Sequence, residues 1–285
     1  MSEIDLHTHS TASDGTMTPS ELVDAAKNAG LKAVALTDHD TVAGLDEARE
    51  RAAQTAMEFI PGCELTVKLE KRTVDILGYW IPKQPEQLVK ALGFLNEERR
   101  KRNEYIVERL QKLGIGITYD DVLAHADGTV GRPHIARALL EAGAVSSITE
   151  AFGRFLGTSG AAYVAKQVFS PEEALELLTQ VKATPVLAHP GIYKFDLSTL
   201  HRLLIRLKEH GLAGLEVLYS EHSANQVYDY SRLAEKLDLV ITGGSDFHGT
   251  VKPNIHLGTG KDNLDIPYSV LEGLKALRDK QGLSV

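Results

Sequence analysis

One rhythm constrains this chain more than anything else in it. Short apolar, β-branched runs alternate with amphipathic helical stretches, and the runs end in histidine or aspartate. Ile4–Ser10 carries His7 and His9, and Ala33–Leu36 is followed by Asp38 and His39. Pro185–Ala188 leads to His189, and Leu239–Thr242 to Asp246 and His248. Strand then helix, repeated, folds as a parallel sheet, and chemistry gathered at the strands' C-terminal ends marks the working face of a barrel. Side chains alternate along a strand, so His7 and His9 leave the backbone on one side, and Asp246 and His248 repeat that geometry. A lone His-x-His reads more readily as a polar edge strand; several such strand ends do not. Histidine nitrogen with carboxylate oxygen, and no cysteine ligands, suits divalent first-row metals and argues against a structural zinc cage.

The rhythm places the elements. Thr18-Pro19-Ser20-Glu21 is a capped helix start, and Gly30 ends that helix. A second helix is expected over 42–56 and a third strand over 58–65. A hairpin of 67–70 and 73–80 should turn at Glu70-Lys71-Arg72. The pattern breaks after Trp80: a long charged helix over 85–114 contains Glu97-Glu-Arg-Arg-Lys-Arg102, read as a solvated face. A helical, loop-rich stretch follows, with strand potential only at 161–164. The alternation resumes at Ser170-Pro171. These signals divide the chain into a barrel of 1–84 and 167–285, interrupted by a helical lid at 85–166. About seven parallel strands are expected where a regular barrel has eight.

Composition excludes several classes. With 285 residues, 43% of them hydrophobic, the chain can bury a full core. Its net charge of −8 argues against coating duplex nucleic acid, which is bound through phosphate neutralisation. Small anions or short single strands stay open. Cys63 is the only cysteine, which excludes an intrachain disulfide and fits a reducing compartment. The N-terminus opens directly on a strand rather than on a signal peptide, and no run approaches the ~20 apolar residues that span a bilayer. A soluble, cytoplasmic protein without a membrane partner is expected.

Five stretches carry a resemblance: Asp5-Leu-His-Thr-His9, Thr37-Asp-His39, Gly62-Cys-Glu64, His189-Pro190 and Gly244-Ser-Asp-Phe-His248. In that order they resemble the polymerase-and-histidinol-phosphatase (PHP) family of metal-dependent phosphoesterases, within the amidohydrolase superfamily. Gly131-Arg-Pro-His134 and Tyr163-Val-Ala-Lys166 resemble its branch that acts on nucleoside 3',5'-bisphosphates and short RNA. The resemblance implies a distorted (β/α)7 barrel with a small helical insertion. It implies that His7, His9, Glu64 and Asp246 hold one divalent ion, and that Glu64 bridges to a second completed by His189. Asp14, His39 and His248 would hold a third. Where many members place another histidine, this chain has Asp75, which either ligates or hydrogen-bonds a ligand. One to three ions are expected, Mn²⁺ first, with Zn²⁺, Fe²⁺ or Mg²⁺ as alternatives. Such ions can clamp both oxygens of an in-line displacement.

On the substrate side, Pro133 opens a helix whose positive end suits phosphate. Arg132 offers a planar fork to the phosphoryl group, and His134 a proton to the leaving oxygen. Arg132, His134 and Asp246 are the expected catalytic residues, with Lys166, Arg154 and His222 as further substrate contacts. The ester implied is the 3'-phosphate of a nucleoside 3',5'-bisphosphate, with cleavage of short 5'-phosphorylated RNA from its 5' end alongside. Histidinol phosphate is the rival substrate. A metal-stabilised, non-catalytic nucleotide-binding protein is the rival from another class.

Overall fold

The structure is a computed structural model that describes residues 2–70, 72–125 and 130–285. The chain divides into two compact units, one of Met1–Val89 and Phe169–Val285, the other of Lys90–Val168.

The larger unit is a seven-stranded sheet in chain order, nearly closed into a barrel. Its strands are β1 (Ile4–Asp5), β2 (Ala33–Leu36), β3 (Glu58–Leu69), β4 (Arg72–Tyr79), β5 (Thr184–Leu187), β6 (Gly214–Tyr219) and β7 (Val240–Gly244). The sheet is mixed, which corrects the expected all-parallel arrangement. β4 runs antiparallel to both β3 and β5, while every other pairing is parallel. The reason is local: β3 and β4 are joined by a turn too short for a crossover, so they must pair as a hairpin. β3 is one strand of twelve residues, where two separate segments were expected. Lys71, in the expected turn, lies outside the described residues.

β1 is also shorter than expected, ending at Asp5. Beyond it, Leu6–His9 stays extended because both sides still bond to it. Thr37 N–H donates to the Thr8 carbonyl at 2.9 Å, Leu6 N–H to Gly243 at 3.2 Å, and Asp246 N–H to His7 at 2.9 Å. A parallel bridge joins Thr8 to Phe247. These bonds join the first strand to the last. Ile4, Leu6, Ile60, Leu77, Val186, Ile266 and Leu274 fill the core. Around the sheet lie α1 (Pro19–Asn28), α2 (Leu45–Thr55), the first turn of α3 (Glu86–Lys112), α7 (Pro171–Gln180), α8 (Leu197–Glu209), α9 (Ala224–Lys236) and α10 (Ser269–Lys280). Thr18, Ser170 and Ser223 each cap a helix with a reciprocal capping box.

The smaller unit holds the rest of α3, with α4 (Tyr119–Leu123), α5 (Arg132–Glu141), α6 (Ile148–Ala151) and a π-helical turn over Phe152–Leu156. Ile106, Leu110, Ile135, Leu139 and Leu156 form its core. The strand potential at 161–164 is not realised: this stretch is a turn and irregular backbone. A short apolar run becomes a strand only where a neighbour completes its ladder. No helix among the described residues is long and apolar enough to cross a membrane.

Candidate metal centre

The strand ends deliver the donors. His7 and His9 leave the extended segment on one side, as alternation requires. Gly244 makes this possible, since a Cβ there would lie 2.3 Å from the His7 Cβ. Glu64 sits within β3. Asp75, on β4, pairs with Thr66, two residues from Glu64, and so lies on Glu64's face of the hairpin. His39 follows β2, His189 follows β5, and Asp246 and His248 follow β7. His189 and Asp246 take positive φ of 24° and 61°, backbone that a side chain adopts only when its surroundings hold it there.

All nine expected donors fall into linked groups whose donor atoms lie within 4.8 Å of one another: His9–Asp14–His39–His248, His7–His9–Asp246, His7–Glu64–His189 and His39–Glu64–Asp75. Glu64 Oε2 is 3.1 Å from His39 Nδ1, 3.2 Å from His7 Nε2 and 3.4 Å from His9 Nε2, and its Oε1 is 3.0 Å from His189 Nε2. Asp246 Oδ1 is 3.3 Å from His9 Nε2, and Asp14 Oδ1 is 3.3 Å from His248 Nε2. Ligands at ~2.1 Å from a shared ion stand about 3.4 Å apart. His7 Nε2, both His9 nitrogens, His39 Nδ1 and Glu64 Oε2 are buried without a hydrogen-bond partner. Buried polar atoms are costly unless something satisfies them, and a divalent ion among them would. The residues fit the metal.

The electrostatics agree. Burial would raise Glu64, but the charges of His39 and His7 outweigh it and hold its carboxyl well below the usual range. Burial, then the field of His39, pushes His9 down to about 3, so it stays neutral and keeps a lone pair. Burial also opposes a charge on His7. The carboxylates of Glu216, Glu64 and Asp246 overcome it and raise that imidazole well above its ordinary value. The centre calls for positive charge.

Four holding groups, Glu216, Tyr219, Lys252 and Tyr193, were missed by sequence reasoning. Glu216, fully buried, accepts from His7 Nδ1 at 2.9 Å and from the His189 N–H at 2.8 Å. A metal-binding histidine is commonly oriented this way through its other nitrogen. The available signal was a lone carboxylate inside the apolar run Leu215–Tyr219. Tyr219 OH (2.9 Å) and Lys252 Nζ (2.6 Å) both donate to Asp246 Oδ2, leaving Oδ1 turned to the histidines. Tyr193 OH lies 3.3 Å from Asp75 Oδ2 and 3.1 Å from His189 Nδ1, so Asp75 both approaches the donors and helps fix one of them. Asp38 accepts from Ser10 N–H, Ser10 Oγ and Ser13 Oγ, which braces the turn that carries Asp14. Buried Asp5 receives Ser245 N–H at 2.9 Å and Gly258 N–H at 2.8 Å.

The substrate-side residues fare differently. His222, expected as a substrate contact, is held by backbone. Its Nδ1 donates to the Val217 carbonyl at 2.9 Å and its Nε2 accepts the Gly191 N–H at 3.1 Å. Both nitrogens thus serve the protein's own backbone, beside the His189 turn. Arg132, His134, Arg154 and Lys166 all belong to the smaller unit. Arg132 Nη1 donates to the Leu156 carbonyl at 2.9 Å. His134 Nδ1 accepts the Gly131 N–H at 2.9 Å, which caps α5 and puts the ring proton on Nε2. Arg154, exposed, pairs with Glu150 at 2.6 Å.

Metal should be felt in stability. An ion that binds only the folded chain, supplied at a hundred times its Kd, adds about 2.7 kcal/mol. At about 2–4 °C per kcal/mol for a chain this large, Mn²⁺ should raise Tm by about 5–10 °C over the EDTA-treated protein. A melting curve indifferent to both would leave the donor set without its ion.

A family model described as "PHP domain" matches residues 5–185. The chain is 36% identical to a "5'-3' exoribonuclease" of Haemophilus influenzae, over 94% of this chain and 96% of that protein. It is 32% identical to a "3',5'-nucleoside bisphosphate phosphatase" of Chromobacterium violaceum, over 92% and 93%. A crystal structure from Bifidobacterium adolescentis, provisionally assigned as a metal-dependent phosphoesterase, superposes with a TM-score of 0.79 at 32% identity. It covers 96% of each chain.

Proposed function

This chain belongs to the PHP-domain family and is a metal-dependent phosphoesterase, and from that premise we propose its substrate. It removes the 3'-phosphate of a nucleoside 3',5'-bisphosphate, releasing the nucleoside 5'-monophosphate. It also shortens 5'-phosphorylated single-stranded RNA from the 5' end. One bond, phosphorus to 3'-oxygen, breaks in both reactions, so one site serves both. The observation that carries the chemistry is the set of orphaned, buried donor atoms at the strand ends. The choice of ester rests on the relatives named for a bisphosphate and for RNA.

His7, His9, Asp14, His39, Glu64, Asp75, His189, Asp246 and His248 would hold the ions. When bound, divalent ions neutralise charge on the phosphoryl oxygens and make water a stronger nucleophile. The chain's own residues prepare the rest. Lys252 and Tyr219 commit the outer oxygen of Asp246, so its inner oxygen alone faces the centre. Glu216 fixes the His7 ring. We assign Arg132 to the phosphoryl group and His134, with its proton on Nε2, to the leaving oxygen. Lys166 and Arg154 are assigned to the remaining anionic groups. The nucleotide substrate and the one buried cysteine fit a cytoplasmic enzyme with no duplex partner.

Steady-state kinetics with Mn²⁺ test this on adenosine 3',5'-bisphosphate, adenosine 3'-monophosphate, histidinol phosphate and a short 5'-phosphorylated RNA. The bisphosphate should lead the 3'-monophosphate by about 10–100-fold in kcat/KM, the scale of one charge-assisted phosphate contact. Histidinol phosphate should trail both. Equal kcat/KM for the two nucleotides would reduce the enzyme to a phosphatase indifferent to its substrate's second phosphate.

A further inference from the structure

Beside the metal centre, the larger unit carries a cleft that the donors do not use. It lies where the end of the β3–β4 hairpin, the residues after His189 and the start of α8 meet. Its volume is about 740 Å³, and Leu69, Arg72, Lys194, Phe195, Arg202 and Arg206 help to line it. A space of that size takes a ligand as large as a nucleotide. Its charge runs against that of the chain. Four of the lining residues are cationic and two, Glu70 and Asp196, are acidic, in a protein of net −8.

The charged groups are unevenly engaged. Arg206 pairs with Glu172 at 2.9 Å. Asp196 caps α8, where its oxygens accept the Thr199 N–H at 2.9 Å and the Thr199 hydroxyl at 2.8 Å. Among the described residues, Arg72 hydrogen-bonds only the Tyr193 carbonyl, at 2.6 Å. Arg202 hydrogen-bonds only the hydroxyls of Ser198 and Thr199, at 2.5 and 3.0 Å. Neither guanidinium has a carboxylate as its partner, and Lys194 beside them is exposed.

A file of rings joins the cleft to the donors. The His189 and Tyr193 rings are 5.6 Å apart, those of Tyr193 and Phe195 6.0 Å, and the Arg72 guanidinium lies 5.2 Å from the Phe195 centroid. Tyr193 OH is 3.1 Å from His189 Nδ1, while the carbonyl of the same residue holds Arg72. One residue thus reaches from a metal donor to the cleft. Exposed arginines along a helix are ordinary. A half-buried ring under a guanidinium, with further cations lining the same cleft, is the pattern of a single-strand platform. There bases lie on aromatic faces and cations follow the phosphates.

We propose that this cleft receives the RNA strand on the 3' side of the bond that is cleaved. The first nucleoside past the metal centre lies on Phe195 beside Arg72, and Lys194 and Arg202 contact the phosphate that follows it. The cleft rests on the proposed reaction for the direction of the strand. A nucleoside 3',5'-bisphosphate ends at its 3'-phosphate and places nothing there, so the cleft serves one of the two proposed substrates and not the other.

Steady-state kinetics with Mn²⁺ on a 5'-phosphorylated RNA hexamer and on adenosine 3',5'-bisphosphate test it. Phe195→Ala and Arg202→Gln should each lower kcat/KM for the RNA by about tenfold, the scale of one stacked base or one charge-assisted phosphate contact. Turnover of the bisphosphate should stay at the wild-type value. Arg202 is exposed, so its variant carries the comparison should Phe195→Ala not fold. Wild-type kcat/KM on RNA in Arg202→Gln would overturn the cleft. So would an equal loss on both substrates, which marks a defect of structure. Fluorescence anisotropy of the same RNA, labelled at its 3' end, on the EDTA-treated full-length chain reads the cleft without turnover, and Arg202→Gln should weaken that binding by about tenfold. A chain that binds RNA through Arg202 yet cleaves none keeps the cleft and loses the proposed reaction. Wild type and Arg202→Gln cleaving RNA alike would keep the reaction and lose the cleft.

Discussion

Glu64→Gln is expected to lower kcat by about a thousandfold or more, the scale on which a preorganised charge at the reacting centre acts. Glu64 belongs to two of the four donor groups, and its oxygens face four imidazoles at 3.0 to 3.4 Å. The amide removes a negative charge from that meeting point and turns an N–H₂ toward atoms that must bind a cation. Volume barely changes. The backbone bonds of residue 64 to Asp38 and Asp40 remain, so the melting curve without metal should shift little. Circular dichroism and Mn²⁺-saturated kinetics, run together, read both halves. Near wild-type turnover in the metal-replete variant would remove Glu64 from the centre.

The second large effect belongs to Glu216, which touches no expected substrate. Its two oxygens serve two donors, the His7 ring and the His189 N–H. Glutamine has one oxygen and can serve only one. If its N–H₂ turns to His7, the ring proton must move to Nε2, the atom that faces the metal. If it turns to His189, two donors collide at a residue whose backbone already sits at φ 24°. Either way metal affinity should fall by about 10–100-fold, the usual cost of losing a ligand's orienting partner. Excess Mn²⁺ should then restore much of the rate, a rescue that a directly reacting residue would not permit. Titration calorimetry with Mn²⁺ decides: unchanged metal affinity in Glu216→Gln would end the orienting role.

The histidines and Asp246 at the strand ends stood out in the sequence because their signal is local, whereas Glu64 and Asp75 came only with the family resemblance. A histidine two residues from another on a β-branched run shares its face whatever the rest of the chain does, and a strand end is visible from composition. Glu216 was not legible, since a single carboxylate in Leu215–Tyr219 looks like ordinary strand polarity until His7, 209 residues away, meets it. The antiparallel setting of β4 follows from a hairpin the sequence did suggest. Its place between β3 and β5 depends on pairings that no local pattern encodes. At 161–164 an apolar run misled for the opposite reason, having strand character without a strand beside it. His222 could be read either way in the sequence, because a histidine near a strand end can brace backbone as readily as it can meet a ligand. Arg102 was read as part of a solvated charge run, and only the folded unit shows its Nε shut away from water.

The bonds between Leu6–His9 and Gly243–Phe247 also set an order on synthesis. Chains emerge from the ribosome N-terminus first, so β1 waits for its last neighbour until residues 243–247 have been made. Of the four donor groups, His39–Glu64–Asp75 is complete early, His7–Glu64–His189 needs residue 189, and the other two need Asp246 or His248. A half-made chain therefore owns one of its four donor groups and a first strand paired only with β2. The enzyme gains its full grip on metal at the moment the barrel closes.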